Sequence, residues 1–223
     1  MGSESRRVFL QQVGALAGSA LLAPVISSCS RPVNSEPTTP PPGPAPVDAL
    51  AVPETRPADW DPISFNRTRG DAGAVPESFR ASIDGDDGAV GKHLPYMPAI
   101  DAALVPEGFV AIMFGDPASE YPRHPAAAPA ADGTGGHWFN RIRVRKAVAG
   151  PAEEIETTFS SWPETAEGDS GQYAVLGGGD VTAESGVNTV YLVRLPSDVS
   201  PGDPIRVFGH CTLHGEYVDF LDR

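Results

Sequence analysis

The sequence predicts an all-β domain, an antiparallel β-sandwich, on three observations. Glycine and proline number 24 each in 223 residues, so turn-formers punctuate the chain at short intervals. The apolar runs between them are brief, and several alternate with period two: Val190, Leu192 and Arg194 point one way, Tyr191, Val193 and Leu195 the other. No window offers an amphipathic helix longer than two turns. Strands at this spacing, with no internal repeat, close as two packed sheets.

Ahead of that domain the chain reads as an export signal over residues 1–29. Ser5-Arg6-Arg7-Val8-Phe9-Leu10 is a twin-arginine pattern, followed by an apolar run from Val13 to Ile26. At 14 residues the run falls short of the ~20 that a spanning helix needs, which favours a signal segment over a permanent anchor. Twin-arginine export carries folded proteins, so it suits a domain that takes up its cofactor before export. The run ends in Val25-Ile26-Ser27-Ser28-Cys29, which resembles a bacterial lipobox. Lipidation of Cys29 would tether the mature chain to a membrane, in the periplasm or at the cell surface. A soluble exported protein and a Cys29–Cys211 disulfide are the competing readings; the disulfide would remove the best ligand from the best motif.

Residues 30–62 are read as a Pro-rich disordered linker. Residues 31–62 contain ten prolines, Pro40-Pro41-Pro42 among them, and too little apolar surface to offset the entropy of ordering. The domain proper is then residues 63–223, long enough for one sizeable core. Its candidate strands are 79–83, 108–115, 138–147, 154–160, 172–176, 188–195, 205–211 and 217–221. A formal charge of −13 argues against nucleic acid as a partner, because phosphates demand a basic footprint. Positive exceptions are Lys92, Arg123 and the group Arg141, Arg143, Arg145 and Lys146. The last group alternates along a strand and reads as a solvated sheet face.

The chemistry concentrates in Phe208-Gly-His-Cys-Thr-Leu-His-Gly-Glu-Tyr217. Cys211 and His214 form a Cys-x-x-His pair, which lets a thiolate and an imidazole from one turn reach the same ion. Two cysteines and five histidines are all the chain has, so a site here would use most of its soft ligands. His93 sits in an exposed-looking turn, Gly91-Lys92-His93-Leu94-Pro95; His124 precedes Pro125, and His137 opens a strand. A single histidine in a β domain is more often structural than ligating; four of them with a Cys-x-x-His turn point to a redox metal.

Gly-Lys-His-Leu-Pro, Arg-His-Pro, Gly-His-Trp-Phe-Asn-Arg-Ile and His-Cys-Thr-Leu-His-Gly resemble, in order, the four ligand blocks of the superoxide reductase (desulfoferrodoxin/neelaredoxin) family. The resemblance spans roughly residues 78–221. It implies a seven-stranded immunoglobulin-like sandwich holding mononuclear non-haem iron, Fe2+/Fe3+. The implied ligands are His93, His124, His137 and His214 around the iron and Cys211 as the axial thiolate. Lys92 matches the family lysine that attracts superoxide. The implied reaction is one-electron reduction of superoxide to hydrogen peroxide, with re-reduction by an external electron donor protein. His210 matches no ligand and should face away from the site.

Three departures accompany the resemblance. The spacer from His124 to His137 is Pro/Ala-rich and longer than the family's, the family glutamate two before the first histidine is Gly91 here, and no cysteines remain for a second iron centre. Two other readings stay open. One is a cupredoxin-like electron carrier, although no methionine follows Cys211. The other is a non-catalytic metal-binding sandwich lipoprotein. A hydrolytic zinc site is weakest, since one Cys and four His would leave no water position.

Overall fold

The computed structural model describes residues 51–130, 132, 135–162 and 172–223. The twin-arginine pattern, Cys29 with its lipobox, and the Pro-rich stretch as far as residue 50 lie outside the described residues. Strands β1 (Pro95–Tyr96), β2 (Phe109–Phe114), β3 (Phe139–Lys146), β4 (Glu154–Thr158), β5 (Gln172–Val175), β6 (Thr189–Arg194), β7 (Pro204–Cys211) and β8 (Gly215–Asp222) form the sandwich. One four-stranded sheet runs β1-β2-β6-β5 and the other β4-β3-β7-β8, with every pairing antiparallel. The family resemblance implied seven strands; the short β1 is one that the sequence reading lacked.

Period two operates on β6 as expected. Tyr191 and Val193 enter the inter-sheet core with Val110 and Ile112 of β2 and Ile142, Val144, Ile205 and Val207 of the opposite sheet. Val190 and Leu192 face the other way, into a second cluster with Ala111 and Met113, flanked by Tyr96, Ile100 and Val105. Because both faces of β6 are covered, every residue of it except Arg194 is buried.

The outer face of the second sheet is charged, and ion-paired at its centre rather than simply solvated. Arg143 reaches Glu154 at 3.1 Å and Glu216 at 2.8 Å, and Arg206 reaches Glu154 at 3.1 Å; Lys146, at the strand end on the other face, reaches Asp203 at 2.8 Å. The N-terminal segment closes over part of this face. Residues 51–62, counted with the linker in the sequence, lie against it: Arg206 donates to the Pro53 carbonyl at 2.9 Å and Trp60 Nε1 donates to Asp219 at 2.7 Å. Helix α1 (Pro62–Arg69) follows. Asp61 caps it by accepting from the Ile63 and Ser64 N–H groups, and proline occupies the first helical position, where no donor is needed. From its last turn Arg69 reaches Glu216 at 2.8 Å.

One expected strand is a helix. Residues 79–83 lie inside α2 (Glu77–Asp84). Phe79, Ala81 and Ile83 alternate as a strand would, yet Phe79 and Ile83 also share one helical face, so the local pattern fits both periods. Tertiary packing decides between them. Ile83 joins Ile63, Val75, Val90, Leu94 and Tyr217 in a cluster at the edge of the sandwich, with Phe79 packed against it. A short helix, α3 (Asp87–Gly91), continues the cover, capped by Asp86 accepting from the Gly88 N–H. Among the described residues no helix is long and apolar enough to cross a membrane.

Candidate metal centre

Turns at one end of the sandwich deliver five donor atoms to one place. Each of His93, His124, His137, Cys211 and His214 offers one ligand atom, and these atoms lie within 4.8 Å of one another. His93 comes from the turn that ends α3, where its N–H donates to the Val90 carbonyl at 2.9 Å. Its Nδ1–H donates to the Ala89 carbonyl at 2.8 Å, which fixes the tautomer and leaves the Nε2 lone pair for the centre. Tyr217 stacks on the ring, with centroids 4.4 Å apart and planes 9° apart. The turn is not exposed: α3 and Leu94 enclose it, and His93 is fully buried.

His124 is placed by its own N–H, which donates to the Phe114 carbonyl at the end of β2, 2.9 Å away. The long spacer does not carry it off. Ala127 and His137 form a two-way backbone bridge at 2.9 and 3.0 Å, which holds His137 beside the His124 segment. The rings of His124 and His137 end with centroids 4.4 Å apart. Nε2 of His124 is buried and has no hydrogen-bond partner. A buried lone pair of this kind is costly unless something takes it, and a metal ion would.

Cys211 and His214 come from the β7–β8 hairpin. Gly215 closes it at φ 84°, and a Cβ there would sit 2.2 Å from the Ala74 carbonyl oxygen, so no other residue fits. Thr212 ties the turn to the strand beside it: its hydroxyl donates to the Gly136 carbonyl at 2.7 Å and accepts from the Trp138 N–H at 3.2 Å. Within the cluster, Nδ1 of His214 lies 2.9 Å from Nε2 of His93, 3.1 Å from Nε2 of His137 and 3.5 Å from Sγ of Cys211. His214 therefore presents Nδ1 where His93 and His137 present Nε2.

The electrostatics suit a cation. Burial, followed by the neighbouring imidazoles and Lys92, holds His93 and His124 well below the usual histidine range. Burial lowers His137 to about 4 and His214 to about 3, with the Lys92 charge adding to both. All four rings are thus neutral donors at pH 7. Burial pushes the Cys211 thiol up to about 11, against the pull of the Leu213 and His214 N–H groups. It is a protonated thiol until a metal displaces the proton. The residues present fit a metal ion: four neutral imidazoles, one of them with an orphaned nitrogen, and one displaceable thiol proton.

The other sequence candidates divide. Lys92 lies beside the cluster, and its charge reaches all five donors. Arg123 is turned away, donating to Asn188 Oδ1 at 2.7 Å. His210 shares a 2.8 Å hydrogen bond with Asn140 and, together with Arg141, Glu156 and Glu216, lines a cleft of about 450 Å³ that contains none of the five donors. Gly91, at the position of the family glutamate, has no room for a side chain: a Cβ would lie 2.2 Å from the Tyr121 ring.

Sequence reasoning passed over three residues at the site. Thr212 stood inside the ligand motif without a role. Tyr217 and Phe79 pack on His93 and His214 respectively, and nothing local in the sequence marks them. Comparison of the chain with protein-family models, with curated proteins and with solved structures finds no match.

Proposed function

We propose that the chain is an exported superoxide reductase, with one mononuclear iron held by His93, His124, His137, His214 and Cys211. The observation that carries the reading is the convergence of four neutral imidazoles and one thiol beside an ammonium group. Five donors exceed the four that structural zinc takes. Copper of the electron-carrier type would want an axial methionine shortly after the second histidine, and no methionine lies between Cys211 and Arg223. The chemistry a ferrous ion would supply is one electron, which with two protons takes superoxide to hydrogen peroxide.

The chain's own residues do the rest. Phe114 and Phe139, stacked beneath the histidines, keep water from the inner side of the site. The Lys92 ammonium offsets a net charge of −13 locally, drawing a small anion toward a centre the whole molecule would repel. The same Nζ holds protons beside the site, where the product needs them. Export and the lipid tether at Cys29 belong to the same proposal and rest on residues 1–29 alone. The electron donor is an external protein.

The test is metal content followed by kinetics. Protein matured through its native export route should hold about one iron per chain, and the ferrous form should be oxidised by superoxide without releasing oxygen. Oxygen evolution, or no reaction, overturns the reading. Lys92→Ala should slow the encounter by roughly three- to tenfold and flatten its dependence on ionic strength; an unchanged rate removes the role given to Lys92.

A further inference from the structure

We propose that Phe79 is the aromatic cover of this centre: its ring seats His214 and Lys92 on the accessible side and limits how freely a bound ion can be reached. The inference rests on the metal-site reading above, and it does not depend on superoxide being the substrate.

Access to the cluster is one-sided. His93 and Cys211 have no exposed surface and His124 is buried, whereas His137 and His214 are half-buried. Phe79 stands on that side. Its ring packs on the His214 imidazole with centroids 3.9 Å apart and planes at 32°, and it meets His93 edge-on at 5.6 Å. The Lys92 ammonium lies 5.5 Å from the same ring's centroid. Among the described residues Lys92 forms no ion pair. The face of an aromatic ring attracts a cation, so this contact positions the ammonium group beside the donors rather than out in solvent.

The close tilted contact has a second effect. An imidazole presents its lone pair in the ring plane, so an aromatic ring packed 3.9 Å from His214 restricts that ring's rotation and with it the direction of Nδ1. Phe79 is therefore a positioning residue that acts through His214 and Lys92. The helix that carries it, α2, has only eight residues and a single buried side chain, Ile83. A helix that short holds its place through packing, and the Phe79 contacts join it to the site.

The test loads wild-type protein and three variants with cobalt(II), follows the thiolate-to-cobalt absorption band, and measures metal extraction by excess EDTA. Phe79→Leu keeps an apolar side chain against the Ile83 cluster but has no ring face. It should release cobalt roughly fivefold faster or more and shift the band. Phe79→Tyr, which restores the ring, should behave as wild type. Phe79→Met serves as a second ringless variant should leucine destabilise the fold, with metal-free melting temperatures as the control. Release at the wild-type rate with an unshifted band in Phe79→Leu or Phe79→Met overturns the proposal, as does a Phe79→Tyr variant no slower than Phe79→Leu. A wild-type chain that takes up no cobalt overturns the metal site as well. A chain that binds cobalt and shows these differences, yet ignores superoxide when loaded with iron, loses only the proposed function.

Discussion

His93 and His124 are imidazoles that the fold buries without a counter-charge, and the pH behaviour of the metal-free protein follows from that. Their folded-state affinities for protons, and those of His137 and His214, lie below the unfolded value near 6.5. The unfolded chain therefore binds more protons as pH falls through 6.5, and stability drops with it. The loss should continue down through about 4 and then about 3, where His137 and His214 protonate in the folded state. Urea midpoints of metal-free protein should decline steadily from pH 7 to pH 4; a flat or rising profile contradicts the burial of the four rings. Cys211 makes an opposite demand. With its thiol near 11 and the histidines already neutral, metal uptake at pH 7.5 should release about one proton per ion. Cys211→Ser should abolish both that release and the thiolate-to-metal band. The Cys211–His214 pair was legible in the sequence, because Cys-x-x-His is a local spacing; His93, His124 and His137 entered the set through the family resemblance. The burial of His93 was not, because its cover comes from α3, Leu94 and Tyr217, residues remote in part from the turn itself.

The hairpin of β7 and β8 is the element on which the centre depends most. It carries two donors on one turn, and Gly215 lets that turn pass under the Ala74 carbonyl. Gly215→Ala should cost about 2 kcal/mol or more, from a strained φ of 84° and an overlap with backbone that cannot yield. It should also weaken cobalt binding, because Cys211 and His214 move together; an unaltered melting temperature and affinity would show that the hairpin tolerates a displaced turn. Seven of the eight strands coincide with candidate segments of the sequence, β7 and β8 running one or two residues past theirs, since glycines and prolines mark their ends and apolar alternation marks their faces. The two-residue β1 carries no period at all. Residues 79–83 went to the wrong element because spacings of two and of four coincide there, and only the packing of Ile83 against α1 and α3 separates them. The Pro/Ala-rich spacer made His124 look remote, whereas a bridge between Ala127 and His137 holds His137 beside the His124 segment.

Across the whole molecule, the N-terminal segment and the second sheet are joined by charge. Arg69, with no exposed side-chain surface, and Arg143 both reach Glu216 at 2.8 Å, and Arg143 and Arg206 both reach Glu154 at 3.1 Å. The guanidinium groups of Arg69, Arg143 and Arg206 also lie over the Phe208 ring, between 4.3 and 5.4 Å from its centroid. Glu216→Ala would leave a wholly buried guanidinium without its carboxylate. The expected cost is about 3–5 kcal/mol, read from urea or thermal unfolding. A cost below about 1 kcal/mol, the size of a surface pair, would mean that Arg69 finds another partner. The alternating arginines of β3 were visible in the sequence, and a solvated face was a fair expectation from one strand viewed alone. Among the described residues Arg143 alone of them finds carboxylates, on β4 and β8, and Glu216 takes a further arginine, Arg69, from a helix ahead of the sandwich, so no local window contains the network.

Sequence alone determines the all-β class, the net negative charge, the Cys211–His214 turn and the supply of imidazoles. Each of these is a matter of composition or of residues within a few positions of one another. Tertiary structure decides which histidines meet, which nitrogen each presents, that Gly91 has no room for a side chain, and that Phe79 and Lys92 stand at the open side. Those are distances between groups brought together by folding, and the physical reason they escape the sequence is that burial and contact are properties of the packed chain, not of any stretch of it.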